Sequence, residues 1–129
     1  MAINIDQSNP GAEDGVWTKY HGSEFLVVHI GHLKFQRALS RLQAPFRRKI
    51  EKGTMDPIES RDLLCTAMAD ALILDWKGVV DSKGTDIPYS RKVCETALFN
   101  NPDLREYLQD FSMDLENFRV EEQTEKGND

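Results

Sequence analysis

Two clusters of side chains have the types and spacing that chemistry could use, and they allow three readings. His29-Ile30-Gly31-His32 spells the HIGH signature that class I aminoacyl-tRNA synthetases place at a nucleotide site. That use requires a Rossmann-like parallel sheet and a partner lysine loop, and the chain has neither the length nor the alternation of strand and helix. The same imidazoles, with His21, could share a metal ion, but no cysteine or acid stands at an obvious ligand spacing beside them. They read better as the end of a strand and the opening of a helix. Asp81-Ser82-Lys83-Gly84-Thr85-Asp86 has the flavour of a calcium loop in the wrong order. Lys83 stands where a ligand is required, Gly84 comes two positions early, and Lys92 occupies the place of the closing glutamate. Ordinary turn chemistry accounts for it. No Gly-rich phosphate loop, nucleophile triad or paired carboxylates with an identifiable pocket can be read, so the expectation is a protein that is not an enzyme, with no catalytic, cofactor-binding or metal residues.

Two features could carry binding instead. Lys34, Arg37 and Arg41 recur on one helical face and are continued loosely by Arg47, Arg48 and Lys49. Such a face suits an acidic partner or nucleic acid, and is otherwise a solvated surface. Leu104, Leu108, Phe111, Leu115 and Phe118 recur at steps of four and three, the spacing of a coiled-coil seam. That seam either closes the protein's own core or forms an interface for self-association, and spacing alone leaves both open.

The elements that must position these residues follow from punctuation and period. Residues 1–15 contain Ser8-Asn9-Pro10-Gly11 and Asp14-Gly15, turn formers with little to bury, and read as a flexible arm. Val16 to Tyr20 and Glu24 to Ile30 are rich in β-branched and aromatic residues, and His21-Gly22 between them suits a tight hairpin. A lone hairpin is marginal, so Trp17, Phe25 and Val27, or their opposite-face neighbours, must pack on helices. Phe35, Ala38, Leu39 and Leu42 give the first helix an apolar stripe. It kinks at Pro45 and ends at Gly53. Asp56-Pro57 opens a second helix expected to reach about Trp76, with a narrow polar line of Asp62, Thr66 and Asp70. A loop or short second hairpin spans Lys77 to Pro88. Ser90 caps a third helix to about Phe99, and Asn101-Pro102-Asp103 opens a fourth that should run to about Phe118. The predicted fold is mostly α within an α+β class: about four helices with an N-terminal β-hairpin, in one domain spanning residues 16–120, followed by an acidic flexible tail at 121–129.

Composition sets the outer bounds. At 129 residues, with 40% hydrophobic and 29% charged residues, the chain suits one modest core rather than disorder. The net charge of -6 argues against nucleic acid, yet it is unevenly spread: seven basic residues and one acid lie between Lys34 and Lys52, and nine acids against three basic residues from Asp103 to Asp129. No basic leader or long apolar run is read at the start, and the stretch from Leu63 to Leu74 is too short and too polar to span a bilayer. The expectation is a cytoplasmic protein with no membrane partner. Cys65 and Cys94 fall inside predicted helices without a CxxC partner and read as buried free thiols.

Asp75-Trp76-Lys77-Gly78-Val79, followed by Asp81, Gly84 and Ile87-Pro88-Tyr89-Ser90, resembles the tail assembly chaperones encoded beside the tape-measure gene of long-tailed bacteriophages. The order of parts, from the hairpin with Trp17 and Phe25 to Asn117-Phe118, is similar over roughly residues 16–118. The resemblance implies a non-virion protein of the bacterial host cytoplasm that coats the tape-measure protein, keeps it soluble and helps recruit tail-tube subunits. It further implies a homo-oligomer, and a longer minor form made by ribosomal frameshifting near the gene's end, in which case this chain is the short form. Trp17, Phe25, Trp76, Gly78, Pro88 and Tyr89 are then the structural motif that braces hairpin and loop against the helices. The alternative reading is a small helical nucleic-acid-binding regulator acting through Lys34, Arg37 and Arg41.

Overall fold

The computed structural model describes residues 13–119. The expected acidic tail, and all but the last residues of the expected N-terminal arm, lie outside them. Strand β1 (Val16–Tyr20) pairs antiparallel with β2 (Ser23–Val27), joined by His21 and Gly22, both at positive φ (48° and 82°), as a two-residue hairpin turn demands. Five α-helices follow in order: α1 (Leu33–Gln43), α2 (Arg47–Lys52), α3 (Pro57–Ala67), α4 (Arg91–Asn100) and α5 (Pro102–Met113). A short 3-10 turn carrying Pro45 separates α1 from α2, so the two are the halves of the one kinked helix predicted, and the α+β architecture with four helical segments is as expected.

The second helix is where the expectation fails. It stops being α-helical at Ala67, passes through a single π turn (Met68–Leu72), and becomes strand β3 (Ile73–Lys77), which pairs antiparallel with β2. The sheet therefore has three strands in the order β1-β2-β3, rather than two. A continuous apolar run is equally a buried helix or a buried strand by period. What decides is that β2 presents a free edge, and that Ile73 and Trp76 favour the pleat. Strand β2 also ends at Val27, three residues early, because Val28 N donates to Leu72 O (3.0 Å) and Ile30 N to Ser112 O (2.8 Å), drawing the chain off the sheet toward the helices.

The fourth helix is likewise shorter than predicted. α5 ends at Met113, Asp114 is extended, and a 3-10 turn (Leu115–Phe118) closes the described chain. Asp114 caps that turn by accepting from Glu116 N (3.0 Å), which stabilises the break. Asn101 does not cap α5 with its side chain. Its amide instead donates to Ala97 O (2.7 Å) at the end of α4, leaving Pro102 to open the helix. Asp56 does cap α3 through Ile58 N (2.7 Å), Ser90 caps α4 through Val93 N (3.2 Å), and Gly53 ends α2 at φ 67°.

One core joins sheet and helices. Phe25, Val27 and Trp76 from the sheet meet Phe35, Cys65, Met68, Leu72, Cys94, Leu98, Leu108 and Phe118. Cys65 and Cys94 are buried free thiols, on α3 and α4 respectively. Among the described residues, the two buried polar side chains other than these are satisfied: Thr18 Oγ1 lies 2.5 Å from the Tyr107 hydroxyl, and Ser112 donates to Gln109 O (2.6 Å).

Candidate protein-binding surface

The Trp-Gly loop builds the frame. Trp76 Nε1 donates to Ile87 O (2.8 Å), the Tyr89 hydroxyl donates to Ile73 O (2.6 Å), and the two rings meet edge to face at 5.3 Å. Pro88, exposed between these partners, holds the chain extended. Gly78 sits at φ 71° against the hairpin turn. A Cβ there would lie 3.2 Å from Gly22 O, and Ser23 Oγ donates to Gly78 O (2.8 Å). Phe25 packs edge to face on Trp76 at 6.2 Å. Trp17 was expected among these braces and lies elsewhere. Its register partner Leu26 is on the face away from Phe25, so Trp17 sits half-buried on the outer side of the sheet, beneath the Lys77 ammonium at 4.2 Å.

With the frame fixed, α1 presents two different sides. Phe35, Leu39 and Gln43 line an open groove of roughly 360 Å³, completed by Ile50 of α2, Met55, and Leu63 and Leu64 of α3. Its origin is the break at Pro45 and the stop at Gly53. α2 is splayed away from the core and buries none of its six residues, leaving the gap between α1 and α3 unfilled. Ile50, exposed by 41%, carries the apolar lining to the surface. Phe35 and Leu39 were read from sequence as part of the apolar stripe of the first helix, but no groove residue was read as a binding site. Ile50 lies beyond the break at Pro45, and the splay of α2 makes it accessible.

Lys34 and Arg41 line a second, polar cleft on the other side of α1, opposite Asp70 and beside Glu13 and Asp14. Lys34, Arg37 and Arg41 are all exposed and do form one face. Arg41 reaches Asp70 at 3.4 Å. Asp70, only 17% exposed, is also the partner of Arg91. This explains how Arg91 is tolerated in the first turn of α4, where the helix dipole disfavours a cation. The predicted polar line divides: Asp62 stays half-exposed and pairs with Arg61 at 3.0 Å, whereas Thr66 Oγ1 donates to Glu95 Oε2 (2.5 Å) of α4, and Arg91 pairs with Glu95 at 3.4 Å.

The predicted seam divides. Leu108 and Phe118 are buried, and Leu104 and Phe111 pack partly against the core, so four of its members close the protein's own interior. Leu115 is 50% exposed, because the helix that would have carried it inward ends two residues earlier.

The histidines do local work. His32 Nδ1 accepts from Lys34 N (3.2 Å) and so caps α1, leaving Nε2 to donate to Glu13 O (3.1 Å). His29 Nδ1 accepts from Gly31 N (3.0 Å), and its ring stands on Phe118 at 5.5 Å. Among the described residues no three His, Cys, Asp or Glu side chains gather as a ligand set, and no helix is long and apolar enough to cross a membrane.

An apolar groove on one side of α1 and a cationic stripe on the other make up the surface, and the chain is phage-derived. It belongs to the family of YdaY prophage proteins, whose family model matches residues 30–128, from the end of the sheet's first hairpin onward. No curated protein and no solved structure matches it.

Proposed function

We propose that this phage-family protein is a tail assembly chaperone with no chemistry of its own, one that covers the tape-measure protein in the bacterial host cytoplasm, keeps it soluble, and stays out of the finished virion. The observation that carries the reading is the open groove between α1, α2 and α3, whose apolar wall continues to the surface at Ile50. A tape-measure protein is a long helical chain whose apolar stripe would aggregate if left uncovered. Grooves of this kind take an amphipathic helix through anchors spaced three and four residues apart. The tail-tube protein would be recruited to the coated chain, directly or through a longer frameshifted form. The Trp76–Gly78 and Pro88–Tyr89 segments, which carry the resemblance to tail assembly chaperones, support the reading by fixing the sheet that α1 and α3 rest on.

Co-expression with the tape-measure protein of the same phage tests this. The tape-measure protein should become soluble and copurify, and Ile50→Glu with Met55→Glu, both in the groove wall and neither buried, should abolish copurification while the chaperone itself stays folded. Undiminished recovery with the doubly substituted chain would remove the groove from the reading. A tape-measure protein that stays insoluble with the wild-type chain would remove the function.

A further inference from the structure

The exposed face of α5 carries Asp103, Glu106 and Asp110, a stripe with the spacing i, i+3, i+7. Lys34, Arg37 and Arg41 on α1 have the same spacing and the opposite sign. Each stripe spans about 10 Å of helix. They do not neutralise each other within one molecule: among the described residues Lys34, Arg37, Asp103, Glu106 and Asp110 form no ion pair. Arg41 pairs only loosely with Asp70, and its side chain is 68% exposed. An exposed apolar residue stands at one end of each stripe, Leu33 at the start of α1 and Met113 at the end of α5.

We infer that a second copy of this chain docks here, its α5 lying antiparallel on α1 of the first. In that register Lys34 meets Asp110, Arg37 meets Glu106, Arg41 meets Asp103, and Leu33 meets Met113, with the helix dipoles opposed. Each molecule offers one stripe of each sign, so the same contact can close reciprocally as a two-fold dimer or repeat head to tail as a ring or filament. Glu13 and Asp14 lie beside Lys34 and Arg41 across the polar cleft, but neither pairs with them. The inference deepens the chaperone reading by saying how copies would line up along a long client. It rests on that reading only for the need of many copies.

Single exposed pairs are weak, whereas three in register with an apolar end make a contact that salt should dissolve. Sedimentation velocity of the full chain should show concentration-dependent assembly at about 20 mM salt and a monomer at about 500 mM. Arg37→Glu and Glu106→Arg should each weaken assembly about tenfold with unchanged helicity. An equimolar mixture of the two variants should assemble as the wild type does, because intact stripes then meet and the reversed ones match. A monomer at every salt concentration, an oligomer indifferent to salt, variants that assemble normally, or a mixture that does not recover would each overturn the inference. Tape-measure solubility, scored separately in the same strains, distinguishes the two failures. A strictly monomeric chain that still solubilises its client loses this interface and keeps the function. A salt-sensitive assembly that solubilises nothing keeps the interface and loses the function.

Discussion

Tyr89 carries its hydroxyl into the interior to reach Ile73 O, and burial pushes its pKa well above the usual phenol range. Burial likewise pushes the Cys94 thiol from 9.0 up to about 12, against the smaller opposing effect of its hydrogen bond with Tyr89, and raises the Cys65 thiol in the same direction. For an acid whose folded pKa exceeds its unfolded one, the unfolded chain releases the proton first. Stability is therefore unaffected below the unfolded value and falls as pH rises between the two. For Cys94 the window runs from about pH 9 to about pH 12, with a slope of about 1.4 kcal/mol per pH unit. Urea unfolding across that range should show the decline, and Cys94→Ala should make it shallower by about that slope. Superimposable pH profiles would mean that the thiol is not held neutral by the fold. At neutral pH Tyr89→Phe should cost about 1 kcal/mol, since Ile73 O loses its donor, and the lower urea midpoint measures it. The sequence showed both cysteines as buried thiols, because a lone cysteine inside an apolar helix has one ordinary fate. It did not show that Tyr89 ties the third strand, because Ile73 was read as helical.

At the scale of elements, local punctuation was legible and pairing was not. His21-Gly22, Gly53, Asp56-Pro57 and Ser90 act where they were read, each through atoms within a few residues. The conversion of the second helix into β3 depends on the edge of β2, some 46 residues earlier by the pairing of Val27 with Ile73, and no local window contains it. The same limit explains the seam. A four-three repeat continued past the end of α5, but Asp114 prefers to cap the turn after it, and Leu115 swings outward. This yields a contrast the repeat alone would not predict. Leu108→Ala should cost about 2–5 kcal/mol, because it empties a fully buried position, whereas Leu115→Ala should stay within about 0.5 kcal/mol. Denaturant midpoints for the two variants provide the check, and equal losses would restore a continuous seam.

On the scale of the whole molecule, α3 runs through its π turn straight into β3, and Val28 N, at the end of the hairpin, bonds to Leu72 O in that turn. Sheet and helical layer are therefore two parts of one covalent and hydrogen-bonded unit rather than a hairpin resting on a bundle. Trp76 stands at their junction, with Phe25 on one side and Tyr89 on the other, so its indole senses both layers. Trp17, on the outer face of the sheet, does not report on that junction. With Trp17→Phe, Trp76 becomes the sole tryptophan of the chain, and its emission reports on the junction alone. If the layers share a core, that emission and the far-ultraviolet helix signal should follow one transition in urea with the same midpoint and slope. An indole that became solvated before helicity was lost would mean that the sheet detaches first, and that the groove beside α1 rests on a helical layer stable without it.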